Sequence, residues 1–159
     1  MAINPRQPDV LVVLDTDVLN DWRYKVPTAT QSIDEYIRVV KVPPAIPSHT
    51  IFEIMHGFEK AIATGTTSER TRQDRALVLK LISNCPILPF NQDAAQIAAH
   101  IFPRLTNSQR NQHWNDMFIA ATALAHDYGV ATRNQKHFEL MAQHTPQSYP
   151  PLRVEIWKS

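Results

Sequence analysis

Residues 10–20 read VLVVLDTDVLN. Val10 to Leu14 is an unbroken apolar run of strand length. A run without alternation fits a strand covered on both faces, as in a parallel sheet between helices. Two acids follow at once, Asp15 and Asp17, with Thr16 between them. A carboxylate directly behind a buried strand is costly to desolvate unless donors or a cation compensate it.

Downstream of this run, short apolar segments alternate with longer helical patterns. Val18, Leu19 and Trp22 have helical spacing, and a second helix is expected over about residues 28–40. VPPAIPS (42–48) is broken by prolines, with a short strand at Ala45 and Ile46. Ser48 or Thr50 is placed to cap a helix running towards Ala63, and TGTTSE (64–69) is a loop and cap. Residues 70–83 read as helix and PILPF (86–90) as a short extended piece. From Asp93 to Leu105, the residues Ala94, Ile97, Ala98, Ile101 and Leu105 share one helical face. TNSQRNQH (106–113) is expected to be a polar loop. Trp114, Met117, Phe118, Ala121, Leu124, Ala125 and Tyr128 then form an alanine-rich helix, with Gly129 as its terminator. Val130 to Thr132 is a strand, a short helix follows Asn134, and residues 152–157 alternate like a terminal strand. Strands alternating with helices predict an α/β fold, with a mostly parallel central sheet of about five strands flanked by helices. One domain spanning residues 1–159 is expected from the length.

Composition removes several classes of function. The three glycines, Gly57, Gly65 and Gly129, cannot build a phosphate loop or a dinucleotide fingerprint. A single cysteine, Cys85, excludes an internal disulfide and a cysteine-based metal cluster. The histidines contain no HExxH, which argues against a zinc hydrolase. No apolar run reaches membrane-spanning length, and the first ten residues lack the core of a secretion signal, so a soluble cytoplasmic protein is expected. The net charge of +1 neither demands nor forbids a nucleic-acid partner.

In such sheets, ligands bind at the edge formed by the strand C-termini. The polar residues expected there are Asp15 and Asp17 after the first strand, and Glu53 early in the helix after AIPS. Asp116 opens the alanine-rich helix, and Asn134 follows the strand at Val130. Each also has a purely structural reading. Asp15 can cap a helix, Thr50 with Glu53 fits a capping box, Asn115 can cap with Asp116 favoured by the helix dipole, and Asn134 can cap the last helix. Gathered on one rim, however, the acids would repel one another without a cation. Oxygen-only ligands select magnesium or manganese over zinc.

The chain resembles the PIN-domain family, and within it the VapC-type toxin ribonucleases of toxin–antitoxin systems. The matching stretches are VVLDTDVL (12–19), IPSHTIFEIMHG (46–57), ILPFNQDAAQIAAHI (87–101) and HWNDMFIAATALAHDYGVATRNQKHFE (113–139), in family order. The resemblance implies a PIN-like α/β/α sandwich. It also implies a metal-dependent endoribonuclease that hydrolyses RNA with a metal-activated water. The family's acidic quartet falls on Asp15, Glu53, Asp116 and Asn134. The implied Mg2+ or Mn2+ ligands are Asp15, Glu53 and Asp116, with Asp17 and Asn134 as auxiliaries, and Thr132 brings a hydroxyl close by. The sequence departs from the family where Asn134 removes one charge, where His137 stands at a position often aspartate, and where residues 106–113 lack a glycine-rich loop.

RNA requires cationic contacts to phosphate. Arg133, Lys136, Arg23 and Arg110 are the candidates, with Lys25 and Arg104 also near the rim; each can equally be a solvated surface charge. Trp22 and Trp114 can stack on bases or pack, and His113 and His137 can reach the scissile phosphate or lie on the surface. The other histidines carry no readable signal. The resemblance further implies a homodimer and a small antitoxin partner. Ile54, Met55 and Phe58 would line its groove, unless they form core. Two alternatives differ in class. A catalytically weak PIN domain would only bind RNA or a partner. A haloacid-dehalogenase-like phosphatase shares the D-x-D after an apolar strand but needs a later lysine and a Gly-Asp-rich acidic pair, which is not found.

Overall fold

The computed structural model describes residues 11–157, so Val10 and the amino-terminal stretch lie outside the described residues. The chain runs β1 (Val12–Leu14), α1 (Thr16–Arg23), α2 (Pro27–Val40), β2 (Ile46–Pro47), α3 (Ser48–Ala63) and α4 (Glu69–Ser83). It continues with β3 (Ile87–Leu88), α5 (Gln92–Ile101), a 3-10 turn (Phe102–Arg104), α6 (Asn107–Ala125), β4 (Gly129–Thr132), α7 (Gln135–Gln143) and β5 (Val154–Ile156).

All strand pairings are parallel. β1, β4 and β5 form one sheet, and β2 pairs with β3. Ala45 bridges the two: its N–H donates to Val12 O at 3.0 Å, and its carbonyl accepts from Leu14 N at 2.9 Å. The strand order across the molecule is therefore β3-β2-β1-β4-β5. Side chains alternate across it. Val13 and Val130 pack with residues of α5, α6 and α7, whereas Val12, Leu14 and Ala131 pack with residues of α1, α2, α3 and α4. Burying one such aliphatic side chain is worth about 1.5–3 kcal/mol. The two buried faces account for the unbroken apolar run in β1. Val12 N–H donates inward to Tyr36 Oη at 3.1 Å.

Four local expectations are corrected. The polar run 106–113 is not a loop but the first turns of α6. It has no apolar face and is started instead by a capping box, with Thr106 Oγ1 accepting from Gln109 N and Gln109 Oε1 accepting from Thr106 N. Asn115 therefore lies inside α6 rather than capping it, and the helix kinks at His113 (φ −127°, ψ 17°). Neither Ser48 nor Thr50 caps α3. The helix begins behind Pro47, Thr50 is buried inside it, and Ser48 Oγ accepts from Phe90 N at 3.0 Å. Finally, the left-handed residue that ends α6 is Asp127 (φ 59°), not Gly129. Gly129 opens β4, where a Cβ would meet Arg153 O at 3.0 Å and Arg153 Cβ at 3.2 Å. Close approach of backbones, not a turn, requires glycine there.

Candidate functional site

From β1 the chain winds to β2 and β3 on one side, then returns to β4 and β5 on the other. The gap between the C-terminal ends of β1 and β4 is thus the switch point where such sheets bind ligands. Asp15 follows β1 there, and Asn134 lies two residues beyond β4. A cavity of about 210 Å3 opens at this edge, with Asp15, Asp17, Glu53, Asp116 and Asn134 in its wall. Thr16, Gln112, Asn115 and His137 complete the lining. Side chains separated by up to 122 positions thus share one cavity.

Each acid is held by its own partner. Asp15 is 2% exposed. Its Oδ1 accepts from Val18 N at 2.9 Å, so it does cap α1, and its Oδ2 accepts from Thr132 Oγ1 at 2.5 Å. Thr132 Oγ1 in turn accepts from Asn134 N at 2.9 Å, which locks the end of β4 to the end of β1. Asn134 Nδ2 donates to Asp17 Oδ2 at 2.8 Å, so its side chain orients an acid rather than capping α7. Thr16 Oγ1 donates to Glu53 Oε1 at 2.7 Å. The capping-box reading of Glu53 fails because α3 starts two residues before Thr50, which places Glu53 beyond the first turn. Asp116 Oδ2 lies 3.1 Å from His137 Nδ1 and 3.5 Å from His113 Nδ1.

The electrostatics record the strain of gathering these groups. Burial pushes the Asp15 carboxyl up from 3.8 to about 7, against the lowering effect of Thr132 and the Val18 N–H, and the charges of Asp17 and Asp116 add to the rise. Glu53 is raised mainly by burial, offset by Thr16 and His49, with Asp116 and Asp17 adding. Asp116 is also raised, first by burial; His137 and His113 oppose the rise and Asp17 adds to it. Carboxylates that share one desolvated cavity and repel one another fit a hard divalent cation with oxygen ligands.

The proposed RNA contacts scatter. Lys136 lines a neighbouring groove of about 540 Å3 that shares Gln112 and His137 with the acid cavity. Arg133 is engaged by Asp21, Nε to Oδ2 at 3.0 Å. Arg110 bonds Asn107 and lies over the Phe102 ring. Arg23 stacks on Tyr24 and, with Trp22 and Lys25, lines a separate concavity of about 680 Å3 bounded by α1, α2 and α4. Ile54 and Phe58 belong to the core, so they do not form an exposed groove; the exposed apolar residues of α3 are Phe52 and Ile62. Trp114 stands edge-on to His49 and Phe118.

One participant was not legible as such. His49 Nε2 lies 2.6 Å from Asn115 Oδ1 and 4.0 Å from Glu53 Oε1, so it braces α3 against α6 beside the cavity. The signal was its i, i+4 spacing from Glu53, which puts both on one helix face.

A parallel α/β/α sandwich with acids converging at its switch point defines a class of candidate metal-centre proteins. The chain belongs to the PIN-domain family: the PIN domain profile matches residues 12–143. No curated protein sequence matches the chain. Its fold is similar to that of chains in DNA-bound VapBC from Salmonella typhimurium, at 23% identity and a TM-score of 0.70, covering 93% of this chain and 98% of that one. It is likewise similar to a chain of VapBC2 from Rickettsia felis bound to a promoter DNA fragment, at 19% identity and a TM-score of 0.67, covering 94% and 100%. A third similar structure is VapBC-5 from Mycobacterium tuberculosis, at 24% identity and a TM-score of 0.60, covering 94% and 99%. Among the described residues, no helix is long and apolar enough to cross a membrane.

Proposed function

We propose that the chain is a VapC-like, metal-dependent endoribonuclease that hydrolyses RNA phosphodiester bonds. The observation that carries this reading is the convergence of Asp15, Asp17, Glu53 and Asp116 on one cavity at the sheet's switch point. Membership of the PIN-domain family, a family of nucleases, supports it. Asp15, Glu53 and Asp116 are the proposed ligands of Mg2+ or Mn2+, with Asp17 and Asn134 as auxiliaries. When bound, the cation supplies a water of lowered pKa as nucleophile and positive charge against the phosphate.

The chain's own residues prepare that chemistry. Thr132 and the Val18 N–H fix both oxygens of Asp15. Thr16 turns Glu53 inward, and Asn134 positions Asp17 while contributing no charge. The similar structures are VapBC assemblies, which supports a small antitoxin partner; a homodimer is a further part of the proposal. Lys136, which lines the groove beside the cavity, is the proposed phosphate contact nearest the acids. A module that only binds RNA is the second reading, but an acid-lined cavity without a cation repels phosphate.

The test is cleavage of a mixed pool of structured RNAs by the purified, antitoxin-free chain. Cutting is expected with Mg2+ or Mn2+ and is expected to stop with EDTA. Binding of the pool without cutting under either metal would favour the binding module and overturn the enzymatic reading.

A further inference from the structure

His113, Asp116 and His137 place two imidazoles and a carboxylate together where the acid cavity meets the neighbouring groove: His137 lines both, and His113 lines the groove. His113 and Asp116 lie three residues apart on α6, and His137 comes from the first turn of α7. The ring centroids of the two histidines are 4.2 Å apart. Their Nδ1 atoms converge on the same oxygen, Asp116 Oδ2, at 3.5 Å and 3.1 Å. One ligand atom from each of the three residues lies within 4.8 Å of the other two. The kink at His113 helps to bring its ring to this point, because a residue at φ −127° leaves the helical phase of its neighbours.

His113 Nδ1 is buried and has no hydrogen-bond partner among the described residues. Its separation from Asp116 Oδ2 is an ion-pair distance without hydrogen-bond geometry. A buried ring nitrogen left in this state costs free energy, and a ligand that accepts its lone pair removes that cost. We propose that His113, Asp116 and His137 form a second metal site, for a borderline-soft dication of the zinc class. Imidazole nitrogens favour zinc-class ions over magnesium, and a tetrahedral site with bonds of 2.0–2.1 Å has edges of about 3.3 Å. The distances from Asp116 Oδ2 to His137 Nδ1 and His113 Nδ1, 3.1 Å and 3.5 Å, straddle that value. Asp116 is therefore shared by two chemically different ligand sets, the carboxylates of the acid cavity and the two histidines, of which His137 also lines that cavity. His137 is half-exposed, which leaves a path from the groove to an open coordination position. This assignment needs nothing of the nuclease reading.

Chelator-stripped protein titrated with Zn2+ against a chromophoric chelator, and with Co2+ followed by its visible absorption, tests the site. One equivalent of Zn2+ is expected to bind, with Co2+ giving the intense bands of a low-coordinate nitrogen-ligated ion. His137→Gln and His113→Gln are each expected to weaken Zn2+ binding by more than the roughly 10- to 100-fold that loss of an outer-shell partner costs. Asp15→Asn is expected to leave it within about threefold, a change too small to count as the loss of a ligand. His137 lies near the surface, so its variant keeps the test valid if the His113 variant does not fold. The proposal is overturned if the folded protein takes up no stoichiometric Zn2+. It is equally overturned if uptake survives both histidine changes or is lost in Asp15→Asn instead.

Discussion

Asp116→Asn is expected to lower metal-dependent RNA cleavage by at least about 100-fold, since even an outer-shell change at a metal site commonly costs 10- to 100-fold. Asp116 presents a carboxyl group to the acid cavity from α6, the longest helix among the described residues. Asparagine keeps the shape and can still accept from His137, so the fold is expected to survive while the charge is lost. Single-turnover cleavage in Mg2+ measures the effect, with circular dichroism as the folding control. A variant within threefold of the parent protein would remove Asp116 from the catalytic set.

The second large effect is on stability, and its sign is opposite to the usual cost of changing a buried group. In the folded chain the Asp15 carboxyl titrates near 7 against an ordinary value of 3.8. Between these values the folded state holds a proton that the unfolded chain has released. Stability from this group is therefore fully present below about pH 4 and is lost as pH rises towards and through 7. At about 1.4 kcal/mol per pH unit, the loss is at most about 4 kcal/mol. Glu53 and Asp116 are raised as well, and their contributions have the same sign. The metal-free protein is thus expected to unfold at lower denaturant at pH 8 than at pH 5. Asp15→Asn is expected to be more stable than the parent at pH 8 in EDTA and to show a flatter pH profile. Urea melts at the two pH values measure this. A less stable Asp15→Asn protein at pH 8 would mean that Asp15 acts chiefly as the cap of α1.

Gathering Asp15, Glu53 and Asp116 in one desolvated cavity carries a stability cost that a bound cation would relieve. Asp15 and Asn134 were readable at the rim because each follows a strand of the sheet; Glu53 and Asp116 lie inside α3 and α6. The apolar run into Asp15 marks the end of β1, and Val130 to Thr132 marks the end of β4 one strand away. The parallel order then brings the two ends together, whatever the intervening sequence. What lay beyond the sequence was the phase of the helices. Residues 106–113 have no buried face, and periodicity reports only burial, so a helix held by its capping box looked like a loop. Losing that helix also hid the kink at His113, and with it the convergence of His113 and His137 on Asp116. Asn134 was placed correctly at the rim, but its amide reaches Asp17, a contact that depends on the turn after Thr132 rather than on any spacing. Ile54 and Phe58 looked available for a partner because α3 is apolar on more than one side; the sheet and α4 take that face.

The acids at the switch point are proposed to form a divalent-cation site. Mn2+ binding followed by electron paramagnetic resonance at pH 8 tests it most directly, on the parent chain, Asp15→Asn and Glu53→Gln, two variants that leave the histidine cluster untouched. The parent chain is expected to bind Mn2+, Mg2+ is expected to compete for the site, and each variant is expected to weaken binding at least about tenfold. Undiminished Mn2+ binding in both variants would contradict this assignment.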